Sequence, residues 1–247
     1  MRPSLTLNCD LGETDHIVPQ GPEHLAMPYI HMANIACGFH AGNRQTMLDT
    51  IALAQQHQVL IGAHPSYPDR ENFGRQSMQL SQADVCDLVF QQIDTLDALA
   101  EVHGARLSYV KPHGALYHDL LHDEATRLGV FQGVASLSTE LPVLVLAGAH
   151  REQLQKSAAQ FGLTLWFEAF ADRRYHADGR LQHRSEGGAV LTNAEEIIAQ
   201  ATAIAHGEPI TSVEGEPIII AADSLCVHGD NAEAVATIKA IRAALTP

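Results

Sequence analysis

Residues 31–42 read HMANIACGFHAG: an apolar run of buried-strand length (Met32, Ala33, Ile35, Ala36, Cys37), then Gly38, Phe39, His40 and a second glycine, Gly42. A glycine directly after a strand lets the backbone turn tightly, so the next side chain can leave the core. The plan recurs along the chain. VLIGAHP ends on His64, SYVKPHG on Lys111 and His113, PVLVLAGAH on His150, and PIIIAADSLCVHGDN on His228 and Asp230. An imidazole after strand upon strand is the pattern to be explained.

Between these strands run helical patterns. Asn43 can cap a helix in which Met47, Leu48, Ile51 and Ala54 recur at helical spacing. Ser81 to His103 carries Val85, Leu88, Val89, Ile93, Leu96 and Leu99 as one stripe, opens on a Ser81–Asp84 capping pattern and stops at Gly104. Further helices are expected at Asp123–Ser138, Arg151–Phe161, Asn193–His206 and Asn231–Leu245. Further strands are expected at Leu5–Cys9, Val59–Ala63, Leu107–Val110, Val143–Ala147, Leu163–Phe167 and Pro217–Ala222. Thr14–Met27 and the charged stretch 168–188, EAFADRRYHADGRLQHRSEGG, read as loops, the latter with a hairpin at Asp178-Gly179. Strand and helix alternate about seven times, so a parallel sheet with right-handed crossovers follows.

The chain has 247 residues, 46% of them hydrophobic, and no linker or low-complexity tract, which fits one α/β barrel domain over 1–247. A formal charge of -14 argues against nucleic acid and against an anionic membrane surface. Cys9, Cys37, Cys86 and Cys226 form no CxxC pair and read as buried reduced thiols. MRPSLTLNCD passes almost directly into a strand with no apolar signal core, and no later run is long enough to span a bilayer. The expectation is a cytoplasmic protein.

In parallel α/β folds the ligand lies outside the carboxyl ends of the strands. Here those ends carry Asp10, His40, His64, Lys111, His113, His150, Glu168, Asp172, His228 and Asp230, which a closed barrel would bring to one mouth. No GxGxxG or GxxxxGK[ST] follows a strand. Among the fifteen histidines, His16, His24, His57, His103, His122 and His206 fall on surface or helix positions, and His150 fits equally as the start of a helix. Asp10 sits at a strand end; Glu13, past the Gly12 turn, could ligate a metal, exchange a proton or cap a helix. Lys111, in the rigid Lys-Pro-His-Gly turn, suits an oxyanion or phosphate better than a surface position. Arg70 and Arg75, in the polar loop SYPDRENFGRQS, are candidates to hold a carboxylate or phosphate.

At these residues the chain resembles a family. NCDLGE (8–13), ANIACGFHAG (33–42), IGAHPSYPDR (61–70) with NFGR (72–75), VKPHGALYH (110–118), FADRRY (170–175) with DGRL (178–181), and CVHGDN (226–231) are similar to the LamB/YcsF family. Departures fall at Thr14-Asp15-His16, Gly21-Pro22-Glu23, Asn43 and Asn72. The altered first loop leaves room for a sub-branch with another cyclic amide or a changed partner. The resemblance implies a distorted, seven-stranded β/α TIM-like barrel related to sugar deacetylases. It implies ATP-dependent opening of 5-oxo-L-proline to L-glutamate, with Mg²⁺ accompanying ATP and two partner subunits similar to allophanate-hydrolase domains. Such chemistry calls for a base (Asp10 or a histidine), cationic stabilisers (Lys111, Arg173 or Arg174) and shielding from bulk water. Glu13, Asp172, His228 and Asp230 complete the expected substrate and phosphate contacts. The alternatives are a metal-dependent deacetylase or amidohydrolase, with Asp10, His40, His64 and His113 as candidate ligands, and a non-catalytic substrate-binding subunit.

Overall fold

The structure, a computed structural model, describes residues 5–227 and 232–245; the candidates His228 and Asp230 lie outside the described residues. In chain order the elements are β1 (Thr6–Leu11), α1 (Pro22–Ala26), β2 (Met32–Ala36), α2 (Arg44–Gln56), β3 (Leu60–His64) and α3 (Gln82–Val102). β4 (Tyr109–Val110), α4 (Gly114–His122), α5 (Glu124–Leu137), β5 (Val143–Leu146), α6 (Arg151–Ala159) and β6 (Leu165–Phe170) follow. The chain then forms α7 (Ala194–His206), a small hairpin of β7 (Ile210–Thr211) and β8 (Pro217–Ile218), β9 (Ser224–Cys226) and α8 (Ala232–Leu245). Strands β1 to β6 and β9 close into a parallel barrel in the order β1-β2-β3-β4-β5-β6-β9, a seven-stranded TIM-like β/α barrel.

The helices begin where side chains satisfy their open N–H groups. Asn43 Oδ1 accepts from the backbone of Gln45 and Thr46, and Ser81 and Asp84 form a reciprocal capping box. The stripe of α3 (Val85, Val89, Ile93, Leu96) is fully buried. All four cysteines are buried and none is in a disulfide.

Two readings of the sequence need correction. The strand that closes the barrel is not Pro217–Ala222: Pro217–Ile218 pairs antiparallel with Ile210–Thr211, Ile219 is 63% exposed, and Ser224–Cys226 enters the barrel. The reason lies in its neighbours. β9 lies between β1 and β6, whose Asn8 and Glu168 are buried and polar, and Ser224 Oγ accepts a 2.8 Å hydrogen bond from Asn8 Nδ2. An all-apolar strand would leave that amide unsatisfied. The supposed loop 14–27 contains the short helix α1, started by Pro22. Residues 114–122 form α4, with His113 at its N-cap. The hairpin at Asp178-Gly179 is present as an antiparallel bridge between Tyr175 and Leu181.

The barrel interior is unusual. Such barrels are ordinarily filled by layers of branched apolar side chains. Here Asn8, Asn34, Tyr109, Lys111, Glu168 and Ser224 are all buried and hydrogen bonded to one another. Room for the Tyr109 ring comes from Gly62 on β3, where a Cβ would collide with it.

Candidate functional site

Residues two apart on a strand face the same way. Asn8 and Asp10 on β1, and Tyr109 and Lys111 at β4, therefore enter the barrel together. Lys111 Nζ lies 2.9 Å from Asp10 Oδ1 and 3.2 Å from Glu168 Oε2, and donates to Asn8 Oδ1 at 3.2 Å. Its side chain is 3% exposed. Burial opposes its charge, but the Asp10 carboxylate, with Glu168, outweighs burial and raises its pKa well above the ordinary value. Asn34 Nδ2 donates to Asp10 Oδ1 at 2.6 Å and to Asn8 Oδ1 at 2.8 Å, and Tyr109 donates to Asn34 Oδ1 at 2.5 Å. Every member of this layer thus holds another in place. The buried Tyr117 hydroxyl is brought in by α4 beside the buried Glu168, and burial, then the Glu168 carboxylate, raise its pKa well above the ordinary value.

Above this layer three imidazoles meet a carboxylate. His64 ends β3, His40 follows the Gly38 turn, His113 caps α4, and Glu13 lies past the end of β1. Glu13 Oε1 lies 3.0 Å from His40 Nε2, 3.5 Å from His113 Nδ1 and 4.0 Å from His64 Nε2. His113 Nδ1 and His64 Nε2 are 2.9 Å apart, and the His40 and His113 rings stack at 3.8 Å. All three histidines are buried. Asp10 links the two layers, with Oδ2 3.4 Å from His64 Nε2.

Charge is distributed unevenly among the rings. Burial, then the proximity of His64, holds His40 down to about 2 and His113 down to about 3. Burial also opposes protonation of His64, but the Asp10 carboxylate prevails and its pKa is raised.

The loop after β3 shapes this layer. Asp69 accepts hydrogen bonds from Asn72 and Gln76 and folds the segment back. Phe73 then takes a left-handed backbone (φ 56°), a strained conformation of the kind that persists where the surroundings enforce it. Its carbonyl accepts from His113 Nε2 at 2.9 Å and its ring meets His40 and His113 edge-on. Gly74 follows at φ 66°, where a Cβ would press to 2.9 Å from His40 Cβ.

The structure thus brings Asp10, Glu13, His40, His64, Lys111 and His113 into contact, with Glu168 beneath them. The arginines stand apart from those contacts. Arg70 donates to Gly42 O at 2.8 Å and pairs with Asp15 at 2.9 Å, tying the loops together. Arg75 lies over the Phe73 ring on the exposed side. Arg173 is buried, donating to Gln182 O with its Nε unpartnered among the described residues, while Asp172 and Arg174 on the same segment are half-buried. His150 caps α6 and packs edge-on against His122. Asn34, Tyr109, Ser66 and Tyr117 escaped sequence reasoning. The signal for two of them was present: an asparagine inside the apolar run 32–37, and a tyrosine two residues before Lys111.

Comparisons with known proteins agree on one family. The LamB/YcsF family model matches residues 5–247. A Chromohalobacter salexigens protein named as the A subunit of 5-oxoprolinase is 48% identical over 236 residues, covering 96% of this chain and 94% of that protein. A Vibrio cholerae protein of the same name is 47% identical, covering 98% of each. The crystal structure of a lactam utilization protein from Thermus thermophilus superposes with a TM-score of 0.90 at 34% identity, covering 98% of this chain and 96% of that one. Among the described residues no helix is long and apolar enough to cross a membrane.

Proposed function

The chain belongs to the LamB/YcsF family, and from that premise we propose that it opens the ring of 5-oxo-L-proline as the A subunit of an ATP-dependent 5-oxoprolinase. The names of its relatives, the A subunit of 5-oxoprolinase and a lactam utilization protein, support the substrate class. The single observation that carries the chemistry is Asp10, a carboxylate held by a buried ammonium at 2.9 Å and directed at the mouth of the barrel.

A lactam carbonyl is a poor electrophile, and its hydrolysis to glutamate is driven in this reading by ATP. Phosphoryl transfer from ATP to the lactam oxygen leaves ADP and an activated imidate carbon. Asp10 takes a proton from water as the water oxygen bonds to that carbon. Collapse of the tetrahedral adduct, with a proton delivered to the ring nitrogen, breaks the C–N bond and leaves the acyl phosphate of glutamate, which a second water hydrolyses to glutamate and phosphate. Lys111 keeps Asp10 anionic through its short ion pair, and Asn34 fixes the rotamer of the carboxylate through Oδ1. Oδ2, 3.4 Å from His64 Nε2, is the oxygen of this reading for proton transfer. The buried histidine layer and the 65–81 loop exclude bulk water, which strengthens every charge interaction inside. Arg173 and Arg174, beside Asp172, are the residues of this reading for the anionic substrate groups, with Mg²⁺ held by the nucleotide phosphates and water. Two partner subunits similar to allophanate-hydrolase domains supply the rest of the complex, in the cytoplasm.

The test is product analysis with 5-oxoproline, ATP and Mg²⁺, with and without the partner subunits. Glutamate and ADP in equal amounts, lost in Asp10→Asn, is the expected result. Ring opening without ATP, or full ATP-coupled turnover by the partners alone, overturns it.

A further inference from the structure

The histidine layer has a feature that ring opening by Asp10 does not use. Each imidazole gives away the N–H that points outward. His64 Nδ1 donates to the Lys111 carbonyl at 2.7 Å, and His113 Nε2 to the Phe73 carbonyl at 2.9 Å. His40 Nδ1 lies 2.9 Å from Ser66 Oγ, whose own hydrogen goes to the Tyr67 carbonyl at 3.0 Å, so His40 is the donor. Carbonyls cannot donate, so these partners fix the tautomers. With each ring neutral, the inward nitrogens, His64 Nε2, His113 Nδ1 and His40 Nε2, therefore present lone pairs to one point and to Glu13 Oε1. Lone pairs 2.9 Å apart repel unless a cation lies between them. A shared proton bridges one such pair at a time; a metal ion serves all four atoms.

We propose that Glu13, His40, His64 and His113 form a mononuclear site for a divalent transition-metal ion of the zinc class. The four ligand atoms lie within 4.8 Å of one another. Tetrahedral coordination at about 2.0–2.1 Å requires ligand atoms about 3.3–3.5 Å apart. Four of the six separations run from 2.9 to 4.0 Å and none exceeds 4.8 Å, so side-chain shifts of about an ångström or less complete the shell. Ligating histidines characteristically donate their second N–H to a carbonyl or other fixed acceptor, and all three do so here. The donor set selects the ion. Three imidazoles and one carboxylate suit zinc, cobalt, iron or nickel, whereas magnesium prefers oxygen and its own waters, so this is not the nucleotide's magnesium site. An ion here would border Asp10, whose Oδ2 is 3.4 Å from His64 Nε2, and would supply a Lewis acid or an acidified water at the barrel mouth.

The site is complete within one chain and its test does not depend on the substrate. Full-length protein stripped with chelator is titrated with Zn²⁺ by calorimetry and with Co²⁺ by visible absorption. Wild type is expected to bind about one equivalent and to give the intense visible bands of low-coordinate cobalt. Glu13→Gln and His40→Gln should abolish the bands. Ser66→Ala, which touches no metal but releases the His40 N–H, should weaken binding by about 10- to 100-fold while the circular dichroism is unchanged. Should the ligand variants fail to fold, Ser66→Ala carries the test. No stoichiometric binding, or binding equal in wild type and all folded variants, overturns the assignment. Neither result bears on whether glutamate formation needs ATP.

Discussion

Replacing Lys111 by methionine tests the lower layer of the barrel. The ammonium lies 2.9 Å from Asp10 and 3.2 Å from Glu168, in a side chain only 3% exposed. At an effective dielectric of about 20 each pair is worth roughly 5–6 kcal/mol before desolvation. Methionine matches the length and removes the charge. The two carboxylate oxygens, both within reach of one ammonium, then repel across about 6 Å or less by roughly 3 kcal/mol or more. Removing one partner of a buried pair typically costs about 3–5 kcal/mol, and that is the expected loss at neutral pH. The raised pKa of Lys111 means its contribution is complete below its ordinary value near 10.4 and disappears only in alkali, so neutral pH reports all of it. The assay is urea unfolding followed by the fluorescence of Trp166, the single tryptophan, which lies 5.9 Å from Tyr109. Adding Glu168→Gln to the variant removes one of the stranded charges and should return about half of the loss. A Lys111→Met protein within 1 kcal/mol of wild type, or one that Glu168→Gln does not rescue, would refute the reasoning.

Three further outcomes are expected. His31 Nδ1 accepts from Leu7 N–H at 2.8 Å beside Arg242, and burial and then that arginine lower its pKa to about 4. Its contribution is therefore present above the ordinary 6.5 and lost as pH falls from there through 4, so denaturation between pH 7 and 4 should show a shallower acid loss in His31→Gln. Asp123 caps α5 by accepting from Thr126 N at 2.7 Å, and Asp123→Ala should cost about 1 kcal/mol in urea unfolding at pH 7. Gly62→Ala sets a methyl group against the Tyr109 ring inside the barrel and should lower stability by about 1–3 kcal/mol, which thermal denaturation would detect.

The alternation of apolar strand and patterned helix was enough to read a parallel barrel, because burial on both faces makes β2, β3 and β5 nearly continuous apolar runs. The same rule misled at the end of the chain. PIIIAA has the look of a buried strand, whereas SLC is short and half polar. Only knowledge that β1 and β6 present Asn8 and Glu168 could have told which of the two closes the sheet. The strand-end imidazoles were visible as a recurring pattern. Their carboxylate was harder to assign, since Asp10 and Glu13 flank one Gly12 turn and spacing does not say which reaches the rings. The structure separates them: Asp10 Oδ1 turns down to Lys111 and Asn34, and Glu13 Oε1 touches His40. The arginines could not be placed from sequence because a guanidinium in a polar loop serves a neighbouring carbonyl as readily as a ligand, as Arg70 does.

The two layers together carry a charge requirement. By formal charge, Asp10, Glu13 and Glu168 contribute three negatives and Lys111 one positive, and the outward hydrogen bonds leave the inward imidazole nitrogens as lone pairs. A mouth this buried does not hold two uncompensated negatives without cost. Two protons or one divalent cation restore neutrality. His64, one of the four ligand residues, meets Asp10 at Oδ2, whereas Lys111 meets it at Oδ1. With a divalent ion bound in the upper layer, Asp10 would be shared between a fixed cation below and an exchangeable one above. Its basicity toward water follows from which of the two charges is in place, so the metal content of the upper layer and the rate of proton transfer at Asp10 should vary together.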